Sequence, residues 1–488
     1  MTVRIAIVGT GYVGLVSGAC LADLGHDVVC IDNDPAKIDA LNHGRMPIYE
    51  PGLDELVSRN VQRGTLRFSL DLPASVKGRE AVFIAVGTPS HPGTDRADLR
   101  YVMAVAEQVA PNLDQFAVIV TKSTVPVGTN REVQRVAQRC LAPGQSFAVA
   151  SNPEFLREGS AIQDFMHPDR VVFGTDSEAA AAIMRRIYAP LAQNGYEVLA
   201  TEIETAEVIK YAANAFLAVK ISYINEIADL CEVVGADVDR VAAGIGLDRR
   251  IGAAFLKAGP GWGGSCFPKD TRALKATASE HVVPMRIVEA AIEANTRRKT
   301  VMFEKIEAAC GGSVAGKRLA VFGLTFKGQT DDMRESPSVG LIQMLEEHGA
   351  KIRAYDPSRP AEAARMLPNV GVAATPVGAA RSADALVILT DWKDFTECDL
   401  GELAAYMADT VMIDLRNLFD EDTVRDSGFR QYVRIGRQTS AEHRAPAVER
   451  RERRPRAGLR SPRAVHPDTA RQETVADLAA TIEASEAV

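Results

Sequence analysis

The stretch from Val3 to Asp32 leaves this chain little freedom in how it folds. Val3 to Val8 is a short apolar run of β-forming residues that ends in Gly9-Thr10-Gly11-Tyr12-Val13-Gly14. LVSGACLADLG follows with helical spacing and stops at Gly25, and DVVCID makes a second apolar run closed by Asp32. Alone, G-x-G-x-x-G is a weak signal. Strand, glycines, helix, strand and an acid roughly 20 residues on form the whole dinucleotide fingerprint. In such a unit the pyrophosphate sits against the helix N-terminus, so Gly9, Gly11, Tyr12, Val13 and Gly14 are candidate cofactor contacts. Asp32 is placed to accept hydrogen bonds from the adenosine ribose, and Lys37 is a further candidate contact. Asp32 and Asp34 would repel a 2′-phosphate, so NAD is expected rather than NADP.

The alternation continues. Glu80 to Val86 is another strand, followed by Gly87-Thr88-Pro89, and Phe116 to Val120 is another, followed by Thr121-Lys122-Ser123-Thr124. Loops at the carboxyl ends of parallel strands are where such sheets bind ligands, which makes Gly87, Thr88, Ser123 and Thr124 candidate cofactor contacts. Gly87-Thr88-Pro89 reads equally well as a plain turn. Phe147 to Ala150 leads into SNPEFLRE, where Glu154 and Glu158 are one candidate base and one candidate cofactor contact. Later, Lys317 to Gly323, the helix SPSVGLIQMLEEHG and the strand KIRAYDP with Asp356 repeat the pattern, but GLTFKGQTDD replaces the glycine motif. A different nucleotide is expected there, with Lys327 available for its phosphates. ALVILTDW and VMIDLRN add strands, the second ending in Asp414 and Arg416.

Between these regions, Thr201 to about Val234 has neither Pro nor Gly and predicts one long helix that Gly235 can cap. Lys210, Asn214, Leu217 and Ile221 share a face of it. Such a lysine either stabilises an oxyanion or snorkels from the edge of the stripe. The helix also offers a surface for a symmetry mate. Arg249, Arg250 and Lys257 then precede GPGWGGSCFPKD. Pro268 suits a first helical turn, which puts Cys266 at the positive end of a helix dipole with Lys269 nearby; both favour a thiolate. A cysteine on a glycine turn is ordinarily structural. Gly259, Gly261, Gly263, Gly264, Lys269 and Asp270 turn the reading toward a nucleophile.

Size and composition agree. A chain of 488 residues exceeds one core. Its 46% hydrophobic and 25% charged content is that of a soluble enzyme, and a net charge of −8 argues against a nucleic-acid surface. No apolar run is long enough for a membrane span, and the start lacks a cleavage pattern. Seven cysteines without C-x-x-C spacing argue against a disulfide framework and a zinc site, and for a cytoplasmic location. The expected architecture is α/β: two Rossmann-like doubly wound domains joined by a long central helix and a helical middle domain. The expected boundaries are 1–197, 198–305 and 306–437, with a charged, Pro-rich disordered tail at 438–488.

GTGYVG with Asp32, VGTP, KSTVPVGT, SNPEFLREG, EVIKYAANAFLA, RIGAAFLKAGPGWGGSCFPKD and GLTFKGQTDDMRESPS resemble, in order over residues 1–437, the UDP-glucose 6-dehydrogenase family. The resemblance implies oxidation of UDP-glucose to UDP-glucuronate by two NAD. Cys266 would be the nucleophile that carries a thiohemiacetal and then a thioester. Lys210 and Asn214 would steady oxyanions and Asp270 would position the water or the lysine. Glu154 would assist hydrolysis, and Thr124 would order a water. Phe155, Leu156, Phe255, Leu256, Lys257, Gly263, Phe326 and Lys327 fall at substrate positions. Arg250 matches an arginine reaching a neighbouring subunit's sugar site, so a homodimer or higher homo-oligomer is implied, with no nucleic acid or membrane partner. Glu158, Lys269 and Arg334 match NAD contacts, Arg334 from the other subunit or domain. GDP-mannose and UDP-N-acetylmannosamine remain alternative substrates. A non-catalytic sensor is disfavoured because Cys266, Lys210 and Asp270 are all present.

Overall fold

A computed structural model describes residues 2–89, 91 and 94–438; the tail expected to be disordered lies, from residue 439 on, outside the described residues. The first eight strands, β1 (Arg4–Val8), β2 (Asp27–Ile31), β3 (Leu66–Ser69), β4 (Ala81–Ile84), β5 (Ala117–Thr121), β6 (Phe147–Ser151), β7 (Val171–Gly174) and β8 (Val198–Thr201), form one sheet ordered β3-β2-β1-β4-β5-β6-β7-β8. Helices cover both faces, so the strands are buried on both sides and read as nearly unbroken apolar runs. Ile5, Ile7 and Phe83 pack to one face and Ala6, Val8, Val82 and Ile84 to the other, as the two-residue period of a strand requires. Strands β1 to β6 are parallel. β7 meets β6 antiparallel through Ser151 and Gly174, and β8 pairs parallel with β7, a reversal not anticipated from the sequence. β8 also carries the sheet to Thr201, four residues past the expected boundary.

The second sheet repeats the plan in order β11-β10-β9-β12-β13-β14, all parallel. Its strands are β9 (Arg318–Phe322), β10 (Lys351–Tyr355), β11 (Gly371–Val372), β12 (Ala385–Ile388), β13 (Val411–Asp414) and β14 (Gln431–Arg434).

Seven helices matter for the site: α1 (Tyr12–Asp23), α2 (Ala161–Met166), α3 (Glu178–Gln193), α4 (Ile203–Val234), α5 (Phe267–Glu280), α6 (Arg286–Ala309) and α7 (Pro337–Glu347). The long helix forms as expected, 32 residues ending at Gly235 with φ 78°, or about 48 Å at 1.5 Å per residue. Ile203 at its start lies in the core of the first sheet, whereas Ile224, Ala228 and Cys231 near its end lie in the core of the second. One rigid rod therefore fixes the distance between the carboxyl edges of two sheets, and the main cavity opens along it.

Candidate active site

Cys266 is the N-cap residue of α5, and Pro268 stands in its first turn. The loop before it is held from several sides. Gly259 N–H donates to Asn225 Oδ1 at 2.9 Å, Trp262 N–H to Asn295 Oδ1 at 2.8 Å, and Gly264 N–H to the Arg334 carbonyl at 3.1 Å. Trp262 Nε1 donates to Ser222 Oγ on α4 at 2.9 Å. A Cβ on Gly263 would lie 2.2 Å from the Glu335 carbonyl, so this glycine is required for the loop to pack against residues 324–336.

A cavity of about 920 Å³ opens beside the sulfur. Glu154, Phe155, Leu156, Lys210, Asn214, Phe255, Lys257, Gly263, Cys266, Phe326 and Lys327, all expected from the sequence, line it, and so does Glu158. Lys210 and Glu154 are both buried and meet at 3.2 Å, Nζ to Oε1; Leu156 N–H fixes the other carboxylate oxygen at 2.6 Å. Asp270 lies just behind the wall. Its Oδ2 accepts from Asn214 Nδ2 at 2.6 Å and its Oδ1 from Lys269 Nζ at 2.5 Å. Burial alone would lower the Lys210 ammonium, but Glu154, Cys266 and Asp270 outweigh it, and its pKa is raised.

The expected thiolate is corrected by this geometry. Burial pushes the Cys266 thiol up to about 11, the Glu154 carboxylate adds to the rise, and Lys210 only partly offsets it. Lys269 is not free to help because its ammonium is bound to Asp270. Cys266 is a thiol at neutral pH, with Ser265 Oγ at 3.6 Å.

Leu256, Arg250, Thr124, Arg334 and the Asp270-bound Lys269, all expected at the site, do not line the cavity. Leu256 is buried in the core of the second sheet with Ala258 and Ile224, so its side chain serves packing. Arg250 is exposed and holds Asp248 through two nitrogens, at 3.0 and 2.6 Å. Thr124 is half-buried, with its carbonyl accepting from Thr88 Oγ1 at 2.9 Å. Arg334 bonds Asp332 at 2.8 Å and reaches Glu158 of its own chain at 3.5 Å. Glu158 also accepts from Ser265 Oγ and Thr330 Oγ1, each at 3.1 Å; burial and Asp332 raise its carboxyl to about 7. The sequence reading missed Lys122, Arg170 and Asp391 on the cavity wall. Arg170 lies 3.9 Å over the Phe155 ring, and Asp391 Oδ2 is 3.8 Å from Lys257 Nζ.

At the carboxyl edge of the first sheet, the fingerprint has the form a dinucleotide needs. A Cβ on Gly14 would sit 2.0 Å from the Gly9 carbonyl, while one on Gly11 would meet nothing within 4 Å. Gly11 is also the N-cap of α1, which has no capping side chain, so its first N–H groups remain for an anion. Asp32 Oδ2 accepts from Thr10 N–H and Oγ1 at 2.8 and 2.7 Å, and Lys37 Nζ stands 3.9 Å away. Burial opposes the Asp32 charge, but these hydrogen bonds and the Asp34 N–H hold the carboxyl below its usual range. Such an ionised acid at the strand end fits a ribose diol. Thr88 and Ser123 spend their hydroxyls on the Thr124 and Val86 carbonyls, tying the β4 and β5 loops together.

Three domains of one family match the chain: the NAD binding domain over residues 3–192, the central domain over 204–297 and the UDP binding domain over 320–421 of the UDP-glucose/GDP-mannose dehydrogenase family. The UDP-glucose 6-dehydrogenase of Rhizobium meliloti (strain 1021) is 52% identical over 436 residues, 89% of this chain and 99% of the relative. The chain belongs to the UDP-glucose/GDP-mannose dehydrogenase family. Another member, UDP-glucose 6-dehydrogenase TuaD of Bacillus subtilis (strain 168), is 48% identical over 89% of this chain and 93% of its own. The structure of a UDP-glucose dehydrogenase from Pyrobaculum islandicum is 36% identical and superposes with a TM-score of 0.82 over 89% of this chain and 97% of that one. Like the rest of the UDP-glucose/GDP-mannose dehydrogenase family, the chain is an NAD-dependent dehydrogenase. Its cavity draws on all three matched segments: Glu154 from the first, Lys210, Asn214 and Cys266 from the second, Phe326 and Lys327 from the third.

Proposed function

We propose that the chain oxidises UDP-glucose at C6 to UDP-glucuronate. R–CH2OH, two NAD⁺ and water give R–COO⁻, two NADH and three H⁺. One observation carries this reading: a half-buried thiol, a buried Lys210–Glu154 pair and a buried Asn214 converge on one cavity that also reaches the second sheet through Phe326 and Lys327. Bound NAD supplies the hydride acceptor for both oxidations. An aldehyde has no hydride to give until a nucleophile has added to it, so a second oxidation requires a covalent adduct or a hydrate. Cys266 forms the S–C6 bond while its proton passes to the aldehyde oxygen, which Lys210 and Asn214 hold; the second oxidation then removes the C6 hydride and that hydroxyl proton and leaves the thioester. Water then cleaves the thioester, with Glu154 taking a proton from the water and the sulfur regaining its own. Asp270 keeps Asn214 in place by their 2.6 Å bond. Thr124, half-buried in the loop after β5 with its carbonyl held by Thr88, would act by ordering a water rather than by lining the cavity.

Two relatives described as UDP-glucose 6-dehydrogenases support UDP-glucose over GDP-mannose or UDP-N-acetylmannosamine. Lys257 and Lys327 supply positive charge for a diphosphate, and burial lowers the Lys327 ammonium. Glu158, Lys269 and Arg334 complete the cofactor side. Phe216, Tyr223 and Leu230 recur every seven residues along α4, and each is exposed, which supports a homodimer across that face. Arg250 would then reach the partner's sugar site. Among the described residues no helix is long and apolar enough to cross a membrane, and all seven cysteines are free, which supports a cytoplasmic setting.

Incubation with each sugar nucleotide, counting NADH, tests the reading. Two NADH per UDP-glucose is the expected yield, and one NADH, or equal turnover of GDP-mannose, overturns it. Cys266→Ala is expected to lose at least about a thousandfold in acid formation.

A further inference from the structure

Glu50 stands in the turn ahead of the helix Leu53–Gln62, is 6% exposed, and has no Lys or Arg partner among the described residues. A carboxylate taken out of water in this way is costly unless donors meet both its oxygens. Three do, all from segments distant in sequence. Oε2 accepts from the Tyr12 hydroxyl and from Gly159 N–H, the latter at 2.7 Å. Oε1 accepts at 2.7 Å from Ala161 N–H, the first N–H of α2, which Ser160 leaves without a side-chain cap. Gly159 N–H also lies 2.9 Å from the Tyr12 oxygen, so that phenol donates to Glu50 and accepts from the loop after β6. Burial, then the bond to Glu50, push the Tyr12 phenol up, so it stays the donor. Gly159 is gripped from its other side as well: its φ is 82°, and a Cβ there would lie 2.4 Å from the Gln329 carbonyl.

These contacts meet at the two sides of the cofactor edge. Tyr12 opens α1, whose first N–H groups have no capping side chain, and Glu158, one residue before Gly159, is held by Ser265 and Thr330. We propose that Glu50 is a positioning residue for NAD: its carboxylate ties the start of α1 to the turn that carries Glu158, so that the cofactor enters a cleft whose two walls already stand at their bound spacing. This rests on the cofactor edge described above. A helix cap alone would need only the Oε1 bond. The second oxygen, spent on the fingerprint tyrosine and on Gly159 together, is what joins the two walls. Preorganisation of this kind acts on affinity, because without it binding must order the tyrosine ring and the loop.

The test uses the full chain and NAD itself: titration for Kd, steady-state kinetics with UDP-glucose, and melting temperature. The proteins compared are wild type, Glu50→Ala, Tyr12→Phe, the double variant and Asp32→Ala. Glu50→Ala is expected to weaken NAD about tenfold in both Kd and KM, with kcat at saturating NAD and KM for UDP-glucose within about threefold. Tyr12→Phe keeps the ring and loses only the hydroxyl, and NAD about threefold weaker is expected. In the Glu50→Ala background the same change should add nothing, since the bond it removes is already gone. Should Glu50→Ala fail to fold, Glu50→Gln keeps one acceptor oxygen, serves in the same cycle, and is expected to weaken NAD severalfold. A lower melting temperature with unmoved NAD affinity would make Glu50 a structural brace and overturns the proposal. So does a Tyr12→Phe effect of equal size in both backgrounds. Unmoved affinity in Asp32→Ala would instead remove the cofactor edge itself, whereas an impaired Asp32→Ala beside an unmoved Glu50→Ala removes only the role of Glu50.

Discussion

The first turns of the two sheets begin alike and end differently. Gly9 and Gly323 both take positive φ, 109° and 97°. Each donates its N–H to the last carbonyl of the neighbouring strand, Ile31 at 2.7 Å and Tyr355 at 2.8 Å. Each is answered by a strand-end acid that accepts the next residue's N–H at 2.8 Å: Asp32 from Thr10, Asp356 from Leu324. Beyond that point they diverge. Helix α1 starts at Tyr12, three residues after its glycine, whereas α7 waits until Pro337. The residues between, 324–336, fold over the Cys266 loop and give it the Arg334 carbonyl. Asp356 is fully buried and spends its oxygens on Leu324, Thr325 and Ser358. One backbone device thus opens a cofactor edge in the first sheet and anchors a clasp over the reacting loop in the second. What decides is whether a helix or a loop follows the glycine.

Stability should separate the two acids most widely. Asp356→Ala leaves several buried donors without an acceptor, at about 1–3 kcal/mol each when unrelieved, and is expected to cost about 3–5 kcal/mol. Asp32→Ala opens toward solvent and should cost about 1 kcal/mol. Denaturant melts of both variants check this, and equal losses would mean the two turns do the same work.

Glu158 joins the halves, since it rises from the loop after β6 and is held by Thr330 and Arg334 of the second. Its carboxyl titrates at about 7 when folded, raised by burial and Asp332 from the ordinary 4.5. The folded chain therefore keeps a proton that the unfolded chain has lost, and stability falls as pH climbs from about 4.5 to about 7. Up to about 3 kcal/mol is at stake across that window. Glu158→Gln should remove most of the decline, seen as a smaller difference in melting temperature between pH 5 and pH 8 than the wild type shows. A variant that declines as steeply as wild type would detach Glu158 from the seam.

Much of this was legible in the chain. Buried parallel strands leave continuous apolar runs, and a proline two residues after Cys266 marks a helix start. The remainder depended on neighbours distant in sequence. Lys122 after an apolar run reads as the wet end of a strand, and only Asn152, Phe165 and Tyr188 reveal it as buried. The thiol was misjudged for a similar reason, because a helix N-terminus and a nearby lysine are visible in sequence while Glu154 beside the sulfur and the Lys269–Asp270 pair are not. Leu256 shares a motif with Lys257 yet faces the opposite way, into the core. The reversal at β7 rests on one bridge to β6, which no periodicity encodes.

Cofactor affinity should separate the two turns next. Asp32→Ala is expected to raise KM for NAD about 10–100-fold with kcat little changed, because a ribose contact made equally in the ground and transition states is uniform binding. The corresponding change at Asp356 should leave KM for NAD alone in whatever fraction folds. If kcat fell with Asp32→Ala as steeply as KM rose, that edge would also be shaping the reacting geometry.

Lys37 gives the smallest effect and the finest resolution. It is the one cation beside the first acid, 3.9 Å from Asp32 and with 42% of its side chain exposed, while Asp356 has only hydrogen-bond donors around it among the described residues. An exposed pair at that distance contributes about 0–1 kcal/mol and weakens with salt. Lys37→Ala should therefore move KM for NAD by no more than about threefold at low salt, with the difference fading at high salt. The Thr10 hydroxyl and N–H, not the lysine, would then be what holds Asp32 in its ionised form. A tenfold, salt-resistant rise in KM would place Lys37 against the bound cofactor itself, and the first turn would read its ligand with a side-chain cation as well as a carboxylate and bare N–H groups.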